Sequence, residues 1–308
     1  MNNLGKALII VNPVAQSGKG NKAGRSVYEK LKNKYKQDVE IKYTKHEGHG
    51  IDLAASSMNY DTVVIVGGDG LVHETATGLM RIQKKDRPKF ALIPVGSGND
   101  YSKSIAITAK VDKAINELME AEVKSADIGK VNDQYFVETL SFGVDAGIAL
   151  GTMDLRKKTG QKGLLLYFES GLNQIAHHFE SYNFKAELDN GEVIENESYI
   201  LAIQNGRSYG GGFPITPNAK LNDGILNICY TVGHMSRKKA LAIFALASKG
   251  KHVNRKCIRF AQAKKLHLTI DRIVPCQIDG ERYENTEFDI EAIPNALDVY
   301  VNKKSICF

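Results

Sequence analysis

Three glycine-rich segments of this chain carry the residue types that bind phosphate. Gly67-Gly68-Asp69-Gly70 follows a β-branched run, Thr62–Val66, and precedes a helical pattern from about Val72 to Arg81. Glycines in that position let backbone N–H groups approach a phosphate, and the helix N-terminus that follows favours negative charge. An acidic residue inside such a turn would repel its ligand. Asp69 therefore makes sense if a magnesium ion or its waters lie between carboxylate and phosphate. Pro94-Val95-Gly96-Ser97-Gly98-Asn99-Asp100 is the second segment. There Ser97 and Asn99 can donate hydrogen bonds to phosphate or sugar oxygens, and Asp100 can cap the helix that follows. The third, Asn12–Gly20, joins a first strand to a first helix and fits neither GxGxxG nor GxxxxGK[ST]. Any one of them could be an ordinary turn; three at one sheet edge argue for a nucleotide site.

Other chemistry-bearing residues are less telling. His46 and His49 lie three apart, but a metal pair is the weaker reading of a short glycine-flanked loop. Cys229, Cys257, Cys276 and Cys307 are far apart, with neither CxxC spacing nor a neighbouring histidine, which suggests no zinc site and no disulfide framework. Tyr209-Gly210-Gly211-Gly212-Phe213 either shapes a ligand entrance or turns the chain.

The elements that must position these residues change character along the chain. Up to about residue 124, strands at Lys6–Val11, Val39–Tyr43, Thr62–Val66 and Phe90–Pro94 alternate with helical spacing at Ala23–Tyr35, Ile51–Met58 and Val72–Arg81. That rhythm predicts a parallel sheet with helices on both faces, whose ligands sit beyond the carboxyl ends of the strands. The glycine-rich segments fall at those ends. After residue 124 come mostly strands: Tyr135–Leu140, Tyr182–Leu188, Ser198–Ile203, Ile225–Thr231, Lys265–Ile270 and Leu297–Val301. Helical stretches at Gly163–Phe179 and Lys238–Ser248 interrupt them, and Asn190-Gly191 reads as a hairpin turn. The expected fold class is α/β + β. A nucleotide-binding α/β domain spans 1–124, and a mostly antiparallel β-sandwich domain spans 125–308, with the last strand or two free to pack back on the first.

Composition sets outer limits. The chain has 308 residues, 43% hydrophobic and 25% charged, which suits two globular domains. No stretch reaches the roughly 18 apolar residues of a spanning helix. The run Ala7–Val11 reads as a strand rather than a signal, so a cytoplasmic protein is expected. A net charge of +6 is too mild to suggest nucleic acid. The basic clusters Lys84, Lys85, Arg87 and Lys89; Arg156, Lys157, Lys158 and Lys162; and Arg237, Lys238 and Lys239 are either solvated faces or peripheral contacts to an anionic bilayer.

In combination the segments resemble diacylglycerol kinases and related lipid kinases. The resemblance rests on Asn12-Pro13, Gly67–Gly70 with Glu74, and Gly96-Ser97-Gly98-Asn99-Asp100. It continues at Pro217-Asn218-Ala219-Lys220-Leu221-Asn222-Asp223-Gly224 and at Asp279-Gly280-Glu281, so it covers nearly the whole chain in order. It implies ATP and Mg2+ as cofactors and an active site in the cleft between the two domains. Asn12, Pro13, Val14, Ala15, Gln16, Thr44, Gly67, Gly68, Asp69, Gly70, Leu71, Val72, His73 and Ser97 would contact ATP. Asp223, with the carbonyls of Lys220 and Ile225, would hold a structural magnesium. Glu281 would be the general base that takes a proton from a lipid hydroxyl, with Asp279 beside it, Asp69 on the nucleotide side and Asp127 in the same acidic network. The implied partner is a membrane lipid reached by reversible peripheral contact; a homodimer stays open. Two positions depart from the family pattern: Gln16 stands where glycine is usual, and Leu71 where threonine is usual. A soluble-metabolite kinase of the NAD kinase kind shares the Gly-Gly-Asp-Gly logic, and a non-catalytic nucleotide-binding regulator would be expected to have lost Asp69 or Glu281.

Overall fold

The structure, a computed structural model, describes residues 3–159 and 164–308. Lys162 of the basic cluster at 156–162 lies outside the described residues, as do the side chains at 156–158 and the start of the helix expected at Gly163. The chain forms two compact units, one comprising the chain up to Asp127 together with Pro294–Phe308, the other Ile128–Ile293.

The first unit is built as β1 (Lys6–Val11), α1 (Ala15–Glu29), β2 (Asp38–Tyr43), α2 (His49–Ala55), β3 (Thr62–Gly67), α3 (Asp69–Met80), β4 (Lys89–Pro94), α4 (Asp100–Ser104), α5 (Val111–Glu120) and the start of β5 (Glu122–Val131). The strand order is β2-β1-β3-β4, all parallel, extended by the C-terminal part of the last strand of the chain through Val299 opposite Phe90. β3 is buried at all six positions, as its run of Val and Ile predicts for a strand covered on both faces. The first helix begins at Ala15, well before the expected Ala23, so it runs through the supposed glycine loop. Gly20 and Gly24 are there for packing: a Cβ at Gly20 would lie 1.9 Å from the Asn12 carbonyl oxygen, and one at Gly24 2.8 Å from the Val11 side chain. Helix α5 was not expected, although Ala114, Ile115, Leu118 and Met119 give it a buried stripe.

The second unit continues with the end of β5, β6 (Gln134–Phe136), β7 (Thr139–Gly143), α6 (Val144–Thr159), α7 (Leu164–His177), β8 (Tyr182–Leu188), β9 (Val193–Ser198), β10 (Ile200–Gln204), β11 (Leu226–Thr231), α8 (Arg237–Ala247), β12 (Ile258–Ala263), β13 (Lys265–Ile270), β14 (Cys276–Ile278), β15 (Glu281–Tyr283) and β16 (Glu287–Val301). One antiparallel sheet runs β12-β11-β10-β7-β14-β15. The other runs β16-β13-β8-β9, using the N-terminal part of β16. Phe136, Phe142, Leu201 and Ile203 meet Phe184, Leu268, Phe288 and Ile290 in one buried cluster, a sandwich core. The outer face of the first sheet is covered by a second cluster that includes Ile148 of α6, Tyr167 and Ile175 of α7, and Ala240 and Ile243 of α8. Among the described residues, no helix is long and apolar enough to cross a membrane.

Candidate functional site

In the first unit the loops after β1, β3 and β4 stand at the C-terminal edge of the parallel sheet, where ligands of such sheets bind. The loops after β3 and β4 touch through their glycines. A Cβ at Gly68 would come within 2.9 Å of the Gly96 Cα, and one at Gly96 within 2.5 Å of the Gly68 Cα. No side chain larger than hydrogen fits at that crossing.

Asp69 is the first residue of α3, yet its carboxylate serves α4. Oδ1 accepts from the Asp100 amide at 2.7 Å and from the Tyr101 amide at 3.4 Å. Asp69, not Asp100, thus meets the exposed amides of α4. Asp100 pairs instead with Lys103 at 2.8 Å. Burial, and then the charge of Asp100, pushes the Asp69 carboxyl up to about 6. The acidic residue of the glycine-rich turn therefore has a partner within the protein. Its charge is drawn towards α4, and the first-turn amides of α3, which no helix satisfies internally, stay open to an anion.

The neighbouring candidates divide into those that face the edge and those that build it. Asn99 spends its side chain on its own loop: Oδ1 accepts from the Gly96 amide at 2.7 Å and Nδ2 donates to the Gly96 carbonyl at 2.9 Å. Asn99 adopts φ +52° to do so, and its side chain closes the loop. Gln16, at φ +48°, donates from Nε2 to the same Gly96 carbonyl at 2.7 Å, tying the loop after β1 to the loop after β4. Leu71 and Val72 are buried at 4% and 1% exposure, so their side chains belong to the core. A Cβ at Gly67 or at Gly50 would run into Leu71, which shows what that side chain packs against. Gly70 and Val14 are exposed, and Asn12, Pro13, Ala15, Thr44, Gly68, His73 and Ser97 are partly exposed along the same edge. Thr44 is held there by its amide on the Val11 carbonyl at 2.8 Å. Glu74 turns out to cap α2, accepting from the amides of Gly48 at 2.9 Å and Gly50 at 2.8 Å. His46 and His49 stack on one another at 5.1 Å. No group of three or more metal-ligating side chains exists among the described residues.

In the second unit Asp279-Gly280 forms the two-residue turn between β14 and β15, with φ +48° and +99°. Both residues lie in the left-handed region, the signature of a type I′ hairpin. The Asp279 carboxylate accepts three consecutive amides: Val137 at 2.7 Å, Glu138 at 3.0 Å and Thr139 at 2.9 Å. It fixes the turn to the start of β7. Glu281, on the next position, is partly exposed. Asp279 thus orients the hairpin that carries Glu281. Asp223 is exposed in the loop before β11, where Oδ1 accepts from the Ile225 amide at 3.0 Å; Lys220 is exposed in the same loop and Ile225 partly so. A carboxylate with backbone carbonyls would be an all-oxygen set of the kind Mg2+ takes, an ion that keeps several of its waters. Asp127 sits in the first unit and accepts from the Asn295 amide at 2.7 Å.

A pair invisible from the sequence lies deeper in the second unit. Asp145, in the first turn of α6, is 7% exposed and accepts from the Tyr209 hydroxyl. Burial pushes its carboxyl up to about 6, against the opposing pull of hydrogen bonds from Tyr209 and Ser141. The glycines at 210, 211 and 212, all with positive φ, curl the chain so that Tyr209 reaches Asp145. A Cβ at Gly210 would strike the Tyr167 ring at 2.5 Å. The glycine stretch therefore turns the chain tightly against the aromatic group of Tyr167, Phe213 and Phe244.

Comparison with known proteins places both units. Residues 6–131 match the diacylglycerol kinase catalytic domain, and residues 138–301 match the YegS C-terminal NAD kinase beta sandwich-like domain. A protein named diacylglycerol kinase from Mycobacterium tuberculosis is 28% identical over 301 residues, covering 96% of this chain and 95% of its own. The crystal structure of a diacylglycerol kinase from Bacillus anthracis superposes with a TM-score of 0.78 at 25% identity, covering 97% of each chain. An NAD kinase from Archaeoglobus fulgidus shares the fold at a TM-score of 0.51 and 13% identity, over 97% of this chain and 94% of its own.

Proposed function

We propose that this chain, which belongs to the diacylglycerol kinase catalytic-domain family, transfers the γ-phosphoryl group of ATP to the hydroxyl of a membrane lipid, with diacylglycerol going to phosphatidic acid as the leading case. The observation that supports it most is the edge of the parallel sheet. Two glycine loops cross there at van der Waals contact, with the first-turn amides of α3 open beside them and the Asp69 carboxylate turned onto the amides of α4. Phosphoryl transfer is largely positioning and charge neutralisation, and backbone amides held in place without side chains in the way supply both.

Glu281 is the proposed general base. As the lipid oxygen forms its bond to the γ-phosphorus and the bond to ADP breaks, the hydroxyl proton passes to the Glu281 carboxylate. Asp279 holds the turn, its oxygens engaged by three amides. Asp223 and the carbonyls of Lys220 and Ile225 would hold magnesium, which when bound supplies positive charge and rigidity to that loop.

The test is labelled ATP on mixed micelles of diacylglycerol, with sphingosine, ceramide and soluble NAD in parallel. Label in phosphatidic acid supports the reading, and label confined to NAD sinks it. Replacing Glu281 with Gln should leave folding and ATP affinity intact and lower kcat by about 10²–10⁴. Near-normal turnover would remove Glu281 as the base.

A further inference from the structure

The second unit carries a run of 47 residues, 224–270, with no Asp or Glu, in a chain whose 35 acidic residues would place one about every nine positions. The same run holds ten Lys and Arg, leaving 31 basic against 35 acidic residues in the rest of the chain. The whole positive excess of the protein is therefore concentrated in one stretch.

The structure turns that stretch into a surface. Arg237, Lys238 and Lys239 open α8, whose N-cap is Ser236, accepting from the Lys239 amide at 3.4 Å. Lys249, Lys251, Arg255 and Lys256 follow in the turns after α8. Arg259 lies on β12, the edge strand of its sheet; beyond it Lys264 donates its amide to the Asp189 carboxylate at 3.0 Å and Lys265 stands opposite Glu291 across β13 and β16, so the surface free of carboxylates ends at Arg259. All ten are exposed, and no ion pair joins any of them to a carboxylate among the described residues. The turns between α8 and β12 are anchored rather than loose. His252 is 2% exposed and holds the Ile215 carbonyl at 3.0 Å, and the Gly250 Cα abuts Pro214. Phe260 of β12 is 43% exposed, its ring 6.2 Å from that of His252. Beside it opens a cavity of about 560 Å³ lined by neutral groups, among them Thr216, Asn218, Asn227, Asn254 and Gln262. The Nδ2 of Asn227, a residue 7% exposed, has no hydrogen-bond partner there.

We propose that the acid-free segment from Arg237 to Arg259 is the face with which this protein seats on an anionic phospholipid surface. Resting on the lipid-kinase reading, the proposal deepens it by naming the docking face and the lipid charge it recognises. The argument is complementarity. Unpaired cations on an anchored scaffold attract anionic headgroups, an exposed aromatic ring suits the bilayer interface, and a cavity lined by amides without a carboxylate accepts a phosphate ester. A zwitterionic bilayer carries no net negative charge, so it offers this surface no long-range attraction.

Co-sedimentation of the full-length protein with vesicles tests it, comparing phosphatidylcholine alone with phosphatidylcholine carrying about 30 mol% phosphatidylglycerol. Binding is expected only to the anionic vesicles and is expected to weaken in high salt. The triple variant Lys251→Gln, Arg255→Gln, Lys256→Gln should bind about 100-fold more weakly, since each near-surface cation is worth about five-fold. A variant that removes the same charge elsewhere, Lys84→Gln, Lys85→Gln, Lys304→Gln, should bind as the parent does. Equal loss in the two triples, equal binding to both vesicles, or binding to single-stranded RNA in place of vesicles would overturn the proposal. Phosphorylation of a short-chain diacylglycerol in free solution, measured on the same variants, reads the kinase reaction separately. Parent-like activity there with lost vesicle binding supports the proposal. Vesicle binding without phosphorylation of any lipid would leave the docking face standing and refute the kinase reading alone.

Discussion

Asp69 shows what a buried carboxylate costs its own fold. Burial and the Asp100 charge raise its folded pKa to about 6, above the value near 4 expected in the unfolded chain. Between those values the folded state holds the extra proton, so the contribution of this group to stability is full below about pH 4 and is lost as pH rises through 6. Asp69→Asn keeps an oxygen for the Asp100 amide and removes the charge. In the nucleotide-free protein the variant should be more stable than the parent by about 1–3 kcal/mol at pH 8, and the difference should vanish towards pH 4. Thermal melts across that range check it, and a pH-independent difference would contradict the assigned cause. Gln16 offers a second residue-scale test. A non-glycine residue at φ +48° costs about 1 kcal/mol, and its bond to the Gly96 carbonyl returns a similar amount. Gln16→Ala should lose the bond and keep the strain, falling by about 1–2 kcal/mol. Gln16→Gly should recover most of that loss, and equal destabilisation of the two variants in denaturant melts would show that strain plays no part.

At the scale of elements, the Asp279-Gly280 turn carries more structure than its length suggests. Removing the Asp279 carboxylate strands three amides at the start of β7, at about 1–3 kcal/mol for each buried donor left unmet. Asp279→Ala should therefore lower the melting temperature of the second unit sharply, whereas Glu281→Gln should leave it unchanged. Matching melts for the two would undo the division of labour between them. These elements also show what a sequence can disclose. The buried strands were legible because a run such as Thr62–Val66 has one physical reading, a strand covered on both faces. The type I′ turn at Asp279-Gly280 was legible for the same reason, since few residues tolerate two successive positive φ values. Asn190-Gly191 gave the same signal but forms a three-residue loop between β8 and β9, with only Gly191 left-handed, as the Leu188 amide on the Glu192 carbonyl shows. The glycines of α1 misled because a glycine needed for close packing looks in sequence like one needed for flexibility. Nothing local could have paired Asp69 with α4, Glu74 with α2 or Asp145 with Tyr209. Those partners lie 24 to 64 positions apart and meet only through the fold.

At the scale of the whole molecule, the first unit is completed by the last fifteen residues of the sequence. Val299 pairs with Phe90, the Asn295 amide reaches Asp127, the Asn302 amide reaches the Ile105 carbonyl, and Arg87 of the expected basic cluster is committed to the Ala296 carbonyl. Leu297, Val299, Tyr300 and Val301 are 2% exposed or less. Burying four such side chains contributes on the order of 5–10 kcal/mol, comparable with the net stability of a domain. A chain ending at Ile293 should therefore fail to bind ATP and should be cut readily by protease across the first unit, and retained ATP binding would show the last strand to be dispensable. The same closure sets a calendar for biosynthesis. A ribosome delivers the three glycine-rich loops well before Pro294–Phe308, so the sheet beneath them lacks one strand until the second unit has been made. The newborn first unit must wait, one strand short and in need of shelter, over that whole interval.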